Sequence, residues 1–343
     1  MHFSNIYKTG KALMASILLL LVVVLMPALQ ITGAQSVGVC YGRNGNNLPA
    51  EGEVVDLYKS NGIGRMRIYE PNEATLQALR GSNIELTVTI LNSELPALND
   101  AAAATAWVQK NVQPYSADVR FKYIAVGNEI HHDSAEVGSL LPAIQNIHSA
   151  IVAANLQGQI KVSTAIDTTL VANPFPPSDG VYDAANQFIK PVIDFLVSSG
   201  APLLVNVYPY FSYTDNLAYA LFTSQGVVVP DGTRYPSLFD ALLDAQYAAL
   251  EKAGAPNMEI VVSESGWPSE GGDQATPQNA ATFYQNLINH VTSTTGTPKR
   301  PGKAIETYLF AMFDENLKDG KPVEKHFGVF SPNKQPKYQL TFG

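Results

Sequence analysis

The fold is constrained most strongly by eight short apolar segments that recur along the chain, each bounded by turn residues or helical patterns. Successive segments start 20 to 57 residues apart, which leaves room for a crossover helix each time. Helical periodicity fills several of the gaps, for example in AEGEVVDLYKSNG and SLFDALLDAQYAALEKAG. The eight segments are SVGVCYG (36–42), GRMRIYE (64–70), IELTVTI (84–90), FKYIAVGNEI (121–130), IKVSTAID (160–167), PLLVNVYPYF (202–211), EIVVSESGW (259–267) and IETYLFAMFDE (305–315).

This alternation of strand and helix predicts a parallel sheet with helices covering its faces. Eight such units favour an α/β fold of the (β/α)8 (TIM) barrel type over a doubly wound sheet. No Gly-x-Gly-x-x-Gly follows the first segment, which also argues against a dinucleotide-binding fold. No linker or charge run divides the chain, so we expect a single domain. Residues 212–237, after the sixth segment, are rich in Tyr, Gly and Pro and predict an elaborated loop on the upper face of the barrel.

The first 34 residues differ in kind from the rest of the chain. Lys8 and Lys11 precede ten continuous apolar residues, Ile17–Met26, and small residues follow near Ala34. This pattern is typical of a secretory signal peptide, and an uncleaved membrane anchor is the alternative. We expect cleavage after Ala34, so that a catalytic domain of residues 35–343 begins at Gln35 as pyrrolidone carboxylic acid.

The charge balance narrows the choice of partners. The chain has a formal net charge of −8, and removal of the two lysines of the leader would change it to −10. An acidic surface argues against nucleic acid and against anionic membranes, both of which require basic patches. A neutral substrate fits better, and a secreted monomer is expected.

Several kinds of site chemistry find no support in the sequence. The chain has a single cysteine, Cys40, which excludes an intrachain disulfide and is expected to be a packed core thiol. His131 and His132 are adjacent, but no further ligand follows at a metal-binding spacing, so no metal and no cofactor are expected. No Gly-x-Ser-x-Gly occurs, so serine hydrolysis is not favoured either.

Polar and aromatic residues gather where the predicted strands end, which is the face of a (β/α)8 barrel that carries active sites. A lone glutamate in such a position is usually a solvated loop residue, and a lone tyrosine usually packs in the core. Five segments out of eight show the same pattern, however, and they end on Tyr69-Glu70, Asn128-Glu129, Tyr208-Pro209-Tyr210, Glu264 before Trp267, and Asp314-Glu315-Asn316 with Lys318 just after.

Glu129 and Glu264 form a pair of carboxylates on two different strands. Two carboxyl groups, one protonated and one ionised, are the usual equipment for cleaving a glycosidic bond. Aromatic rings close to them suit sugars, whose C–H faces pack on indole or phenol rings. We therefore expect the indole of Trp267 to face a sugar ring.

Seven motifs together resemble the plant glucan endo-1,3-β-glucosidases (β-1,3-glucanases) of glycoside hydrolase family 17. The resemblance runs in order from Ser36 to about Tyr338, and its two glutamate motifs are highly specific. The motifs are VGVCYGRNGNNLPA, RMRIYEPNEATLQALRGSNIEL, IAVGNEI, VSTAIDT, VNVYPYFSY, VVSESGWPSEGG and FAMFDENLKDG…EKHFGVFSPNKQPKY.

The resemblance implies a (β/α)8 barrel that hydrolyses internal β-1,3 linkages with retention of configuration. It assigns the acid/base to Glu129 and the nucleophile to Glu264. It also assigns auxiliary roles beside this pair to Glu315 and Lys318. Tyr69 matches a tyrosine of the family that lies close to the acid. Together with Tyr69, the residues expected to bind substrate are Asn128, Tyr208, Trp267 and Phe313.

The expected mechanism is a double displacement, with a raised pKa at Glu129 from burial and from the nearby Glu264. Asn128 would hydrogen-bond the 2-hydroxyl of the sugar, and Lys318 would keep Glu315 and Glu264 ionised. One departure from the family pattern is Glu70, where many relatives have Asp, and this leaves any role of residue 70 in doubt.

Three alternatives stay open within this resemblance. The chain could hydrolyse mixed 1,3;1,4-β-glucans, bind glucan without cleaving it, or transfer the glycosyl group to another sugar. The absence of the C-terminal extension of vacuolar relatives favours secretion to the cell wall space. Defence and developmental roles both occur in the family, and the residues do not choose between them.

Overall fold

A computed structural model of the chain describes residues 37–342. The expected signal peptide and the expected N-terminal Gln35 lie outside the described residues. None of the helices in the described part of the chain is long and apolar enough to cross a membrane.

Within residues 37–342, eight parallel strands close into a barrel, so the (β/α)8 fold expected from the sequence is confirmed. Seven of these strands fall within their predicted apolar segments, and the eighth, Arg120–Asn128, begins one residue before its segment. The barrel strands are β1 (Gly38–Tyr41), β2 (Arg65–Ile68), β3 (Glu85–Ile90), β4 (Arg120–Asn128), β5 (Lys161–Asp167), β8 (Leu203–Asn206), β11 (Ile260–Ser265) and β12 (Thr307–Leu309). Around the barrel they follow the order β1-β12-β11-β8-β5-β4-β3-β2.

Helices alternate with the barrel strands, and their ends follow local sequence signals. The Ser237 side chain caps the helix Leu238–Lys252 by accepting from the backbone N–H of Asp240, and Thr276 caps the helix Pro277–Thr292 in the same way, by accepting from Asn279. The helix Ile189–Ser199 is followed by Gly200 in the left-handed conformation. The helices are α1 (Glu51–Ser60), α2 (Glu73–Leu79), α3 (Ala101–Asn111), α4 (Val137–Ala153), α5 (Ile189–Ser199), α6 (Pro209–Ser212), α7 (Leu217–Ala220), α8 (Leu238–Lys252) and α9 (Pro277–Thr292).

The apolar core has two main parts because the barrel strands are buried on both faces. The larger part lies between the outer face of the barrel and the helices and includes Val39, Ile124 and Ile144. The smaller part fills the inside of the barrel and includes Leu204 and Tyr308. Continuous apolar runs in the sequence follow from this double burial.

Two loops at the carboxyl ends of the strands carry extra elements. A small hairpin follows β5 and consists of β6 (Val171–Ala172) and β7 (Val181–Tyr182). The segment after β8 contains α6, α7 and a second hairpin of β9 (Val227–Val228) and β10 (Arg234–Tyr235). This is the segment in which the sequence predicts an elaborated loop.

Irregular pairing near the carboxyl ends of two strands sets the direction of the side chains there. The register between β4 and β5 shifts between Ala125 and Asn128, and the register between β11 and β8 shifts between Val262 and Glu264. Such bulges re-aim the side chains that follow them. Glu129 and Glu264 lie at or just after these two irregularities.

Candidate active site

A cleft of about 780 Å³ opens at the carboxyl ends of the barrel strands. It contains both members of the predicted carboxylate pair, Glu129 and Glu264. Five other residues predicted for the site also line this cleft, namely Tyr69, Asn128, Tyr208, Glu315 and Lys318. The structure thus brings together seven residues whose positions in the sequence span 250 places.

Glu264 is held by three donors on two oxygens. The hydroxyl of Tyr69 donates to Oε1 at 2.7 Å and that of Tyr208 to Oε2 at 2.6 Å. Arg67 donates from Nη1 to Oε1 at 2.9 Å. Burial raises the pKa of both tyrosines well above the ordinary value, so their hydroxyls stay protonated and act as donors. An ionised carboxylate, which accepts on both oxygens, fits this arrangement.

Arg67 is a fully buried arginine inside the barrel. Besides Glu264, its Nη1 donates to Asn206 Oδ1 and to the carbonyl of Ser263, both at 3.1 Å. Its Nη2 donates to Asn128 Oδ1 at 2.7 Å. Sequence reasoning did not name Arg67 as a site residue. The available signal was Arg67 itself, a second cation two residues after Arg65, between the apolar residues Met66 and Ile68.

Glu129 follows β4 with a backbone φ of 52°, in the left-handed region that a glutamate rarely adopts. Its backbone N–H donates to the carbonyl of Ala165 at 2.8 Å. Loss of water around the carboxyl and, second, the negative charge of Glu264 raise the pKa of Glu129 to about 7. A glutamate in this range can give up a proton near neutral pH, as the expected acid/base must.

Asn206 bridges the two carboxylates. Its Nδ2 donates to Glu129 Oε1 at 2.8 Å, and its Oδ1 accepts from Arg67, the partner of Glu264. Ser263 Oγ also donates to Asn206 Oδ1, at 2.7 Å, which fixes the orientation of the amide. Asn206 was missed from the sequence because it reads as one polar residue within VNVYPY.

Glu315 is buried against the first strand. Its Oε1 accepts from the backbone N–H of Asn44 at 2.9 Å. A Cβ on Gly42 would collide with the Glu315 carboxyl, so a larger residue at position 42 would displace this carboxyl from its place. Burial raises the pKa of Glu315, and the positive charge of Lys318 only partly offsets this rise.

Lys318 forms its ion pair with a third carboxylate that lines the cleft. Its Nζ lies 3.5 Å from Glu324 Oε2 and 4.1 Å from the centre of the Phe310 ring. The cation bound directly to Glu264 is Arg67. The positive charge of Lys318 lowers the pKa of Glu315, in the expected direction, but burial raises that pKa by more.

Two predicted sugar-binding aromatics are wrong because both are core residues. Trp267 is 0% exposed, its Nε1 donates to the carbonyl of Gln274, and its ring packs on Tyr210 and Tyr213. Phe313 is 1% exposed and meets the Tyr41 ring edge-on. Neither ring lines the cleft.

Tyr69, which the resemblance places close to the acid, lines the same cleft as Glu129. Its direct hydrogen bond is to the other carboxylate of the pair, since its hydroxyl donates to Glu264. Glu70 is half-exposed at the edge of the cleft, and its carboxylate lies 3.8 Å from Arg43.

The histidine pair is not part of a metal cluster. His131 Nε2 lies 2.7 Å from Asp167 Oδ2, where it forms a hydrogen bond. Within residues 37–342 no group of three or more His, Cys, Asp or Glu residues is arranged to hold a metal ion.

A (β/α)8 barrel with two glutamates at the ends of different strands, one held as a carboxylate and one with a raised pKa, is the architecture of a glycoside hydrolase. Residues 37–342 match the family Glycosyl hydrolases family 17, and the chain belongs to this family.

Named relatives agree with this assignment. The chain is 58% identical over 337 residues to the glucan endo-1,3-beta-glucosidase of Vitis vinifera, covering 95% of this chain and 97% of that one. Among solved structures, it is similar to CJP38, a beta-1,3-glucanase and pollen allergen of Cryptomeria japonica, with 48% identity, a TM-score of 0.87 and coverage of 90% and 99%. It is also similar to a structure from a pair of plant beta-glucan endohydrolases with distinct substrate specificities, with 47% identity, a TM-score of 0.84 and coverage of 89% and 100%.

Proposed function

We propose that this protein hydrolyses internal β-1,3-glucosidic bonds in β-1,3-glucans of the callose and laminarin type, by a retaining double displacement. The observation that carries the proposal is the contrast between Glu264, held by three donors, and Glu129, whose pKa is raised to about 7. The names of the relatives support the linkage.

In the first step Glu264 attacks the anomeric carbon and forms a glycosyl–enzyme bond. The bond from that carbon to the leaving oxygen breaks, and Glu129 gives its proton to this oxygen. Arg67, Tyr69 and Tyr208 fix the direction of the Glu264 carboxylate before substrate arrives, which removes the entropic cost of aligning it later.

In the second step Glu129, now ionised, takes a proton from water, and the oxygen of that water attacks the anomeric carbon. Glu264 leaves as a carboxylate, so the product keeps the β configuration. Asn206 contacts Glu129 directly and Glu264 through Arg67, and it thereby couples the positions of the two groups.

Asn128 is proposed to hydrogen-bond the 2-hydroxyl of the sugar on the nucleophile side. Its Oδ1 accepts from Arg67 and from Asn206, which leaves the amide Nδ2 for the substrate. Among the described residues, no side chain or backbone group accepts from this nitrogen. Glu315 and Lys318 are proposed to act as auxiliary charged groups at the other side of the cleft.

The cleft suits a neutral polysaccharide. Phe211 and Leu91 are exposed at its walls, where apolar surface can face the C–H groups of successive glucosyl units. The Tyr208 ring packs between Phe211 and Phe327 and extends this surface towards Glu264.

Product analysis on laminarin and on mixed-linkage barley glucan tests the proposal. Release of a series of laminari-oligosaccharides from laminarin, with little release from barley glucan, is the expected result. Preferential cleavage of barley glucan would replace the linkage assignment, and longer products than the starting chains would indicate glycosyl transfer. Binding without any product would contradict hydrolysis.

We also propose that the protein is secreted as a monomer to the cell wall space after removal of residues 1–34. Mass spectrometry of the secreted protein should give a peptide that begins at Gln35 as pyrrolidone carboxylic acid. A retained N-terminal apolar segment would contradict this proposal and leave the hydrolytic assignment untouched.

A further inference from the structure

Strand β4 continues beyond its neighbour β3 at the edge of the cleft. The last residue of β3, Ile90, pairs with Val126, and the chain then turns into a short 3-10 helix, Asn92–Glu94. Strand β4 runs on to Asn128, the residue before Glu129. The backbone of Asn128 therefore faces a side on which β3 no longer offers peptide groups.

The carboxamide of Asn92 takes the place of the missing peptide group. Its Oδ1 accepts from the backbone N–H of Asn128 at 2.8 Å, and its Nδ2 donates to the carbonyl of Asn128 at 2.9 Å. In a parallel sheet, the N–H and C=O of one residue point to the same neighbouring strand, and an amide is the side-chain group that can satisfy both.

The segment that Asn92 holds has an unusual backbone. Gly127 has a φ of 74° and Glu129 a φ of 52°, so Asn128 stands between two residues in the left-handed region. Such a conformation persists only where the surroundings hold it. On the side of β5, the backbone N–H of Glu129 donates to the carbonyl of Ala165. On the side of β3, the Asn92 carboxamide bonds the N–H and the carbonyl of Asn128.

We propose that Asn92 is a positioning residue for proton transfer: its carboxamide fixes the backbone of Asn128 and thereby aims the carboxyl of Glu129 at the leaving oxygen. This inference rests on the proposed role of Glu129 as acid/base. Asn92 itself does not touch Glu129, so its effect passes through the backbone.

Water can replace the amide when Asn92 is shortened. A cavity of about 360 Å³ beside the main cleft is bordered by both Asn92 and Asn128. In Asn92→Ala, water entering from this cavity can hydrate the N–H and C=O of Asn128. We therefore expect the variant to fold, with a less fixed Glu129.

The test compares kcat/KM on two substrates that differ in their need for a proton. Cleavage of laminarin expels a sugar hydroxyl group, which is a poor leaving group unless the acid protonates its oxygen. Cleavage of 2,4-dinitrophenyl β-laminaritrioside expels dinitrophenolate, which departs as a stable anion without a proton. General acid catalysis is worth about 10²–10⁴-fold, so a misplaced acid should cost Asn92→Ala about 10–10²-fold on laminarin. The same variant should lose less than about threefold on the aryl glycoside, because the first step there needs no proton.

Three further variants make the result decisive. Asn92→Asp keeps the size and the acceptor but loses the donor, so it should show the same selective loss even if Asn92→Ala fails to fold. Asn146→Ala is the matched control, because the Asn146 amide also holds loop backbone, at Leu98 and Asn99, away from the cleft. It should change both rates by the same factor. The basic limb of the laminarin pH profile should also move to lower pH in Asn92→Ala, as the carboxyl of Glu129 gains contact with water.

Equal losses on both substrates in the Asn92 variants would overturn the inference, as would full activity on laminarin. Glu129→Ala separates this failure from a failure of the proposed function. If Glu129→Ala loses laminarin activity selectively and the Asn92 variants do not, Glu129 is supported as the acid and the positioning role of Asn92 is contradicted. If Glu129→Ala itself shows no selectivity, the assignment of the acid is at fault.

Discussion

Arg67 donates to Glu264 over 2.9 Å, and both side chains are shut away from solvent, with exposures of 0% and 7%. Burial costs solvation free energy for both the guanidinium and the carboxylate. Their attraction offsets this cost when the remaining N–H groups and oxygens of the pair are also hydrogen-bonded. Here the guanidinium also bonds Asn206 and Asn128, so its positive charge supports the nucleophile and the bridging amides at once.

Removing one partner of this pair should be costly for stability and activity. Arg67→Met leaves the Glu264 carboxylate without its cation, and breaking a buried pair in this way costs about 3–5 kcal/mol of unfolding free energy. Urea unfolding of the wild type and the variant measures this loss.

Arg67→Lys is the informative companion because it keeps the charge. A single ammonium cannot reproduce the fork that reaches Glu264, Asn206 and Asn128 together, so kcat should fall well below wild type in protein that is still folded. Near wild-type kcat in Arg67→Lys would show that only the charge matters.

The raised pKa of Glu129 predicts the pH dependence of the reaction. Activity needs the protonated acid, so kcat/KM on laminarin should fall as pH rises through about 7. On the aryl glycoside, which needs no proton, this basic limb should be absent. A limb that stays near the same pH with both substrates would exclude Glu129 as its source.

The same pKa makes a prediction for stability. The pKa of Glu129 rises from an ordinary value of 4.5 to about 7 on folding, so between these values the folded state holds a proton that the unfolded state releases. Stability from this group is present below pH 4.5 and is lost as pH rises through 7. Glu129→Gln removes the titration, so its stability relative to wild type should increase from pH 4.5 to pH 8. Thermal melts across this range measure the trend, and a constant difference would contradict it.

Trp267 should behave as a packing residue. Trp267→Ala removes a fully buried ring that contacts Tyr210, Tyr213 and Phe283, and comparable truncations cost about 3–5 kcal/mol. The KM for laminarin should change little in the protein that remains folded. A large rise in KM with an unchanged melting temperature would restore the sugar-binding role. Trp267→Phe, which keeps most of the apolar volume, should recover part of the stability.

The barrel and the carboxylate pair could be predicted from the sequence because both leave local traces. Strands buried on both faces appear as apolar runs, and Glu129 and Glu264 interrupt such runs at the end where a barrel presents its site. The direction of the next side chains left no such trace. Trp267 lies beyond the end of β11 at Ser265, where strand alternation no longer fixes the direction of a side chain, and its ring is buried in the core.

The network around the pair was harder to predict. Arg67 and Asn206 lie on β2 and β8, on different sides of the barrel, and their contact depends on strand register and tilt. Arg67 shares its short strand with another arginine, Arg65, and Asn206 is the last residue of an otherwise apolar strand, so neither position signals a contact across the barrel. The proposed role of Asn92 is harder still to predict, because it depends on β3 ending before β4 does, and the sequence does not show this difference in strand length.

The last prediction concerns the stereochemistry of hydrolysis, which depends on the separation of the two carboxyl groups. Retaining enzymes keep these groups roughly 5–5.5 Å apart, whereas inverting enzymes leave about 6.5–9.5 Å for a water molecule. We predict the shorter separation and β-configured first products. The shared contacts with Asn206 and Arg67 support this value, because they draw both carboxyl groups to one side of the cleft.

Azide rescue tests the two roles separately. Glu264→Ala should abolish turnover, and azide should partly restore it by giving an α-glycosyl azide, since the small anion attacks from the empty nucleophile side. Glu129→Ala should still form the covalent intermediate from the dinitrophenyl glycoside, and azide should then give the β-glycosyl azide from the opposite face. Proton NMR of wild-type hydrolysis that shows the α-anomer first would rule out a nucleophilic Glu264, because a single displacement by water inverts the anomeric carbon.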